Sequence, residues 1–469
     1  MKTLHFFFVV VLLTSSVVAQ KETPLPKDLP PYGAEKTLQA PNVKSFKLDN
    51  GLTVWLVSEP GFPKVAFSLA VRGGLAADPA ERPGISELLS KTVDQGTTTR
   101  SAKQIAQELQ AAGGDLSVTV DRDAIQLSTA VLSSKLDPAM TVLADLVENA
   151  SFPDAEVALA KRDLSDSLKQ QESEPSFLAR RAMAKVLFGD HPYHVTAPTQ
   201  DSIAASTPAD LRRVFAQRFR PDQGILVAVG DFQYDEMTAA VRAKFGAWKV
   251  PPEAPLAALP TPPDKVEHDI FIVNRPGSVQ TTLDLSGFGP RMGDPDYEAA
   301  EVANAIYGGI FSSRLVANIR EDKGYTYSPY SALRPLEVAG TLFTWADVRN
   351  EVTGPSLNEI EYELNRLATT SPTTQELGKS ERYLVGNQAI RLQARAAVAR
   401  ELSTIWTNGL PPEEIATSSR KIATTKSTDV DAAARKYFPA YRMAIVAVGE
   451  ETVIRDALAP LGIPMRTLP

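Results

Sequence analysis

The stretch ILVAVGDF, residues 225–232, returns near the end of the chain as AIVAVGEE, residues 444–451. Each is a short apolar run with β-branched residues that closes on glycine, the pattern of a strand buried on both faces and feeding a turn. Upstream, ADPAERPGISELLSKTV (77–93) is echoed by GDPDYEAAEVANAIYGG (293–309), with Asp78-Pro79 answering Asp294-Pro295. Both pairs lie roughly 220 residues apart, and a shared order of markers at nearly one spacing predicts a tandem duplication. Between the copies, PPEAPLAALPTPP (251–263) is rich in proline and reads as a semi-rigid linker.

Within the first copy, SFKLDNGLTVWLVSE alternates as a hairpin around Asp49-Asn50-Gly51, and KVAFSLAVRGG continues as a further strand. SAKQIAQELQAAGG predicts a helix capped by Ser101 and ended by Gly113. DLSVTVD and AIQLSTAVL read as two more strands, followed by helical patterns from about 135 to 188. The second copy repeats this order. The expected class is α+β: two tandem homologous domains, each a mostly antiparallel sheet with helices packed on one face. The expected boundaries are 20–41 for an extended lead-in, 42–249 and 265–469 for the domains, and 250–264 for the linker.

Composition narrows the function. Lys plus Arg is 49 against 56 for Asp plus Glu, a net charge of −7, with no basic run to meet a phosphate backbone. A nucleic-acid partner is not expected. The sequence has no cysteine, which excludes disulfides, iron–sulfur clusters and thiolate zinc sites. MKTLHFFFVVVLLTSSVVAQ combines Lys2, an apolar run over 6–13 and small residues at Val17 and Ala19. This pattern predicts a signal peptide over 1–19 with Gln20 as the first mature residue, since the run is short for the roughly 20 residues of a spanning helix. The expected location is the periplasm, in soluble form and without a membrane anchor.

The segment GISELLSKTVDQGT (84–97) places Ile85, Leu88, Leu89 and Thr92 on one helix face, with Glu87 and Lys91 spaced to form an ion pair. It resembles the part of the insulinase/pitrilysin-like zinc peptidases that carries His-x-x-Glu-His. FGDHPYHVTAPTQDSIAASTPADLRRVFAQRFRPDQGILVAVGDF (188–232) is similar to the end of that family's first domain. The resemblance covers about residues 42–460, and implies that the two domains form half of a clam shell.

In such enzymes two imidazoles one helical turn apart grip Zn²⁺, and the Glu between them activates the bound water. Those three positions are Glu87, Ser90 and Lys91 here. The family's third ligand, a Glu about 76 residues further on, falls near Ser167 or Leu168, with Asp163 and Asp166 nearby. The motif is degenerate, and no zinc or other cofactor is expected in this chain. His191 and His194, in GDHPYH, are separated by Pro192 and read as a turn rather than a ligand pair.

YGGIFSSRLVANIREDKGYTYSPYS (307–331) is similar to the second-domain signature of the same family. A helix starting at Ser312 or Ser313 is expected to bury Leu315, Val316 and Ile319, with Gly324 ending it and YTYSPYSAL alternating as a strand. From the residues alone, Tyr327 reads as a strand-core aromatic and Arg320 as a solvated cation at a helix end. The resemblance implies instead that Arg320 and Tyr327 bind substrate backbone and stabilise charge on the scissile carbonyl. A chain with this pair and no zinc motif resembles the non-zinc subunit of a heterodimeric peptidase, whose homologous partner carries zinc and whose substrate is a peptide or small protein. The competing expectation is a catalytically inactive structural or peptide-binding protein.

Overall fold

The computed structural model describes residues 41–468. The expected signal peptide and nearly all of the lead-in lie outside the described residues. Two six-stranded sheets organise the chain. The first contains β1 (Val43–Lys47), β2 (Thr53–Ser58), β3 (Lys64–Arg72), β4 (Leu116–Val120), β5 (Ala124–Leu132) and β6 (Gly224–Gly230). The second contains β7 (Ile270–Asn274), β8 (Gln280–Phe288), β9 (Tyr330–Pro335), β10 (Gly340–Arg349), β11 (Ala444–Gly449) and β12 (Met465–Leu468). Their orders are β1-β2-β6-β3-β5-β4 and β12-β7-β11-β8-β10-β9.

The duplicated Val-Ala-Val-Gly runs are β6 and β11, third in each order and buried along their whole length. Each lies parallel to the strand on one side and antiparallel to the strand on the other. Both faces of such a strand meet packed side chains, which is why its residues are apolar without alternation. Apart from these parallel pairs and β12 beside β7, the ladders are antiparallel, as expected.

The turn between β1 and β2 forms around Gly51 at φ +92°, a conformation that favours glycine. A side chain there would also press on Asp222. Asn50 fixes the turn by donating to the carbonyls of Phe245 at 2.8 Å and Trp248 at 2.9 Å. Ser101 caps the next expected helix with a reciprocal Gln104 contact, and Gly113 follows its end at φ +85°.

Each sheet carries its own half's helices on one face. In the first half these include α1 (Ile85–Ser90), α2 (Ala102–Ala111), α3 (Leu136–Asn149) and α4 (Asp154–Glu172), with Leu88, Ile105, Leu143 and Leu168 in one core. The opposite face of each sheet takes a helix from the other half. Helix α5 (Pro175–Phe188) leaves the first half and packs on β8 and β11, placing Met183, Leu187 and Phe188 against Phe343, Trp345 and Val446. In return, the helix Arg395–Thr407 packs on β3 and β6, with Val398, Leu402 and Ile405 against Trp55, Val57 and Val227. Burial of each large apolar side chain in such a contact stabilises by about 1.5–3 kcal/mol.

Polar contacts fix the returned helix at both ends. Arg395 donates to the Lys64 carbonyl at 2.9 Å. Arg72 reaches the last turn, donating to the carbonyls of Trp406 at 2.9 Å and Thr407 at 2.7 Å, where a cation suits the helix dipole. Residues 250–264, expected as a linker, contain no helix or strand but do not hang free. Arg220 donates to the Glu253 carbonyl at 2.8 Å, and Leu259 packs beside the α5 contact.

One polar group sits under α5 without full compensation. Asp284, on β8, is buried and accepts from Ser286 Oγ at 2.6 Å. Burial pushes its carboxyl up to about 6 despite the opposing fields of Arg334 and Arg180. A carboxyl whose folded pKa is raised binds more protons folded than unfolded, so stability falls as pH rises from about 4 to 6. Asp284→Asn keeps an acceptor for Ser286 and removes the ionisation. It should leave stability unchanged near pH 4 and raise it by about 1–3 kcal/mol at pH 7.5, measured by urea unfolding at both pH values.

Candidate functional site

Helix α1 begins at Gly84, at φ +79°, where a side chain would collide with Pro198. Ile85, Leu88, Leu89 and Thr92 are all buried, as their spacing required. The helix is short, and Lys91 is its C-cap rather than a residue of a longer helical face. Lys91 is exposed and Glu87 half-buried, and among the described residues no ion pair within contact distance joins them. That corrects the expected i,i+4 pair: after one and a half turns the helix has ended, and Lys91 turns to solvent. Burial raises the Glu87 carboxyl, with the Lys91 field pulling it back down.

A zinc site at these positions fails on donor chemistry. Ser90 Oγ donates to the Glu87 carbonyl at 2.8 Å, and Lys91 offers an ammonium without a lone pair. Leu168 is buried in the first core, while Ser167, Asp163 and Asp166 are exposed, with Asp166 paired to Lys169 at 2.9 Å. Among the described residues no three His, Cys, Asp or Glu side chains converge to hold a metal. His191 accepts from the Tyr193 amide at 3.1 Å and bonds the Pro260 carbonyl at 2.9 Å, while His194 bonds the His191 carbonyl at 2.9 Å. Both rings are turn fixtures.

Beneath α1 lies a charged pair that the sequence did not disclose. Arg218 Nη2 meets Asp78 Oδ1 at 2.8 Å with both side chains fully buried, and Ser86 Oγ bonds both partners. Asp78 was legible as a marker of the duplication, but its partner lies 140 residues away in sequence.

The second candidate stretch is built differently. A helix starting at Arg314 widens into π-turns over Val316–Asp322, a local geometry frequent at functional sites. Leu315, Val316 and Ile319 are buried as expected, and Gly324 ends the helix at φ +62°. Arg314 anchors its start through a forked contact to Glu376 at 2.7 and 3.1 Å. The expected strand from Tyr325 does not form there; β9 starts at Tyr330. The Tyr325 amide stays on the Ile319 carbonyl at 2.8 Å, and Pro329 has no amide to offer a ladder. Residues 325–329 therefore remain a loop.

That loop brings Arg320 and Tyr327 together. The Arg320 guanidinium lies 4.7 Å from the Tyr327 ring centre and 4.5 Å from that of Phe311. Its Nε meets Glu321 Oε1 at 3.0 Å. Tyr327 is 79% exposed and Phe311 65% exposed, so neither is a core aromatic and Arg320 is not a freely solvated cation. The strand-core reading of Tyr327 fails, whereas Arg320 does stand in the last helical turn as expected but lies against two rings rather than free in solvent. Among the described residues, neither the Tyr327 hydroxyl nor the Arg320 Nη atoms have a hydrogen-bond partner. Both residues line a cleft of about 660 Å³ that is also lined by Gln280, Asp347 and Arg349. No hydrogen bond, ion pair or ring contact among the described residues joins this corner to Glu87, Ser90 or Lys91.

Residues 53–197 match the family model for insulinase (peptidase family M16), and residues 206–384 match that for the peptidase M16 inactive domain. The chain belongs to the insulinase-like M16 peptidase family. Among M16 relatives, the uncharacterized zinc protease YmxG of Bacillus subtilis is 25% identical over 354 residues, 75% of this chain and 85% of that one. The uncharacterized zinc protease Rv2782c of Mycobacterium tuberculosis is 26% identical over 390 residues, 83% and 89% of the two chains. The crystal structure of a peptidase M16 inactive domain from Pseudomonas fluorescens superposes with a TM-score of 0.82 at 26% identity, covering 87% of this chain and 98% of that one. A protease from Helicobacter pylori shares the fold with a TM-score of 0.83 at 17% identity, covering 88% and 100%. The inactive-domain matches, together with the missing donor set, support an inactive member of the M16 family.

The donor argument has a direct test. The purified chain should carry no stoichiometric zinc by elemental analysis and should hydrolyse no peptide alone. Glu87→His, Ser90→Glu and Lys91→His together should not create a tight zinc site, because neither Ser167 nor Leu168 supplies the distal carboxylate. About one chelator-removable zinc per purified chain would overturn the assignment.

Proposed function

We propose that this chain is the non-zinc subunit of an exported heterodimeric zinc peptidase. Its partner is a homologous subunit bearing His-x-x-Glu-His and the zinc, and its substrate is a peptide or small protein. The observation that carries this reading is the Arg320–Tyr327 corner: a guanidinium in contact with two rings, with Arg320 and Tyr327 lining one cleft and no hydrogen-bond partner among the described residues for the Nη atoms or the phenol hydroxyl. Both groups donate hydrogen bonds: the guanidinium can only donate, and the phenol can also accept. Arg320 would bind substrate carbonyl oxygens through its fork, and Tyr327 would donate to the oxygen on which negative charge develops. The chemistry of water activation belongs to the partner's metal.

The degenerate motif also fits a second reading, a catalytically inactive structural or peptide-binding member. Co-purification from the host separates the two: a His-x-x-Glu-His homologue should come with the chain, and peptide hydrolysis should require both. A chain that purifies without such a homologue, and adds nothing to its rate when mixed, supports the second reading.

Export rests on residues 1–20, and among the described residues no helix is long and apolar enough to cross a membrane. N-terminal sequencing of the protein from its host should begin at Gln20; retained Met1 would remove the periplasmic assignment.

A further inference from the structure

We infer that Phe311 is a positioning residue for Arg320, holding its guanidinium so that only the Nη edge can meet a ligand; this rests on the reading of Arg320 as a substrate-binding group. Phe311 stands just before the helix that carries Arg320, and its ring is 65% exposed rather than packed into a core. Its ring centre is 4.5 Å from Arg320 Cζ, and the Tyr327 ring centre is 4.7 Å from the same atom. Both distances are within the range in which an aromatic ring attracts a cation. Glu321 Oε1 lies 3.0 Å from Nε.

These three contacts leave one kind of access. A planar guanidinium offers stacking faces and a rim of five N–H donors. Here two rings engage it and the Glu321 carboxylate stands beside Nε as an ion pair, so the N–H groups of Nη1 and Nη2 are the ones with no acidic neighbour in contact among the described residues. They can meet a carbonyl or carboxylate oxygen in the cleft through forked hydrogen bonds. Without Phe311, an arginine on an exposed helical turn would sample several rotamers and lose orientation on each encounter. The ligand class is therefore extended peptide, recognised through main-chain oxygens rather than through an aromatic side chain stacked on the arginine.

The test uses the full mature chain and two readouts. The first is modification of Arg320 by phenylglyoxal, followed by mass spectrometry of its tryptic peptide. Phe311→Leu retains apolar bulk but loses the ring, and should speed modification of Arg320 about three- to tenfold with the melting temperature unchanged. An unchanged rate in folded Phe311→Leu overturns the proposal.

The second is binding of a fluorescein-labelled, N-acetylated and C-amidated 15-residue peptide of Gly, Ser, Ala and Leu, followed by anisotropy. Phe311→Leu should weaken binding about fivefold or more in the native background, and have no effect in an Arg320→Ala background. Equal weakening in both backgrounds would show that Phe311 touches the peptide itself, and overturns the positioning role. If Arg320→Ala alone leaves binding intact while phenylglyoxal still reports the clamp, the substrate-binding reading fails and the orientation of Arg320 stands.

Discussion

Peptide hydrolysis by the reconstituted pair should fall about 10²–10³-fold when Tyr327 is replaced by Phe, with little change in folding or partner affinity. The substitution removes one hydroxyl from a side chain that is 79% exposed and leaves the ring beside Arg320. No internal hydrogen bond is lost, because the hydroxyl has no partner among the described residues. A donor aimed at a developing oxyanion in a closed, water-excluded chamber contributes roughly 3–4 kcal/mol to the rate, far more than at an open surface. The magnitude thus depends on the partner closing over the cleft. Arg320→Lys should also impair turnover, since an ammonium keeps the charge but not the planar fork. The assay is initial rate against peptide concentration, with melting temperature and partner affinity measured on the same preparations. Full activity in the Tyr327→Phe pair would reduce the corner to a structural feature.

Asp78→Ala should destabilise the chain by about 3–5 kcal/mol, because it leaves Arg218 as a buried charge without its counter-ion. The pair is 2.8 Å apart with side-chain exposures of 1% and 0%, so water cannot take over the role of the lost carboxylate. Arg218 Nε already has no partner, which leaves the guanidinium little to fall back on. Asp78→Leu with Arg218→Met replaces the pair by apolar volume and should recover most of the loss. The measurement is the urea midpoint of each variant at pH 7. Unchanged midpoints for Asp78→Ala would mean that the pair contributes nothing to holding α1 in place.

The fold was legible where local pattern and global position agree. The repeated Val-Ala-Val-Gly strands, the Asn50-Gly51 turn, the Ser101 cap and the helix ended by Gly324 each carry their own signal within a few residues. The exchange of helices was not legible. Nothing in the amphipathic pattern of α5 or of Arg395–Thr407 states which of two similar sheets will cover its apolar face, since both present apolar surfaces of mixed aromatic, β-branched and small side chains. The loop at Tyr325–Pro329 misled for a related reason: alternation of aromatic and small residues satisfies a strand, while the capping turn that forbids the strand is set by the helix before it. The candidate site was half visible. Resemblance drew attention to Arg320 and Tyr327, but Phe311 looked like another apolar residue of the signature until its ring was found against the guanidinium. Asp78 and Arg218 needed the tertiary fold, because an ion pair across 140 residues leaves no periodicity in the sequence.

The exchanged helices also decide where this molecule is able to move. A protein of two domains joined by a proline-rich tether would ordinarily open and close at the tether. Here each sheet is roofed by its neighbour's helix, so parting the halves would strip the apolar sides of β6 and β11 at once. The tether is therefore not a hinge between the two halves. In the proposed heterodimer, opening for a large substrate comes from the seam with the other subunit rather than from within this chain. A cut within 250–264 should yield fragments that precipitate singly and regain solubility only when folded together.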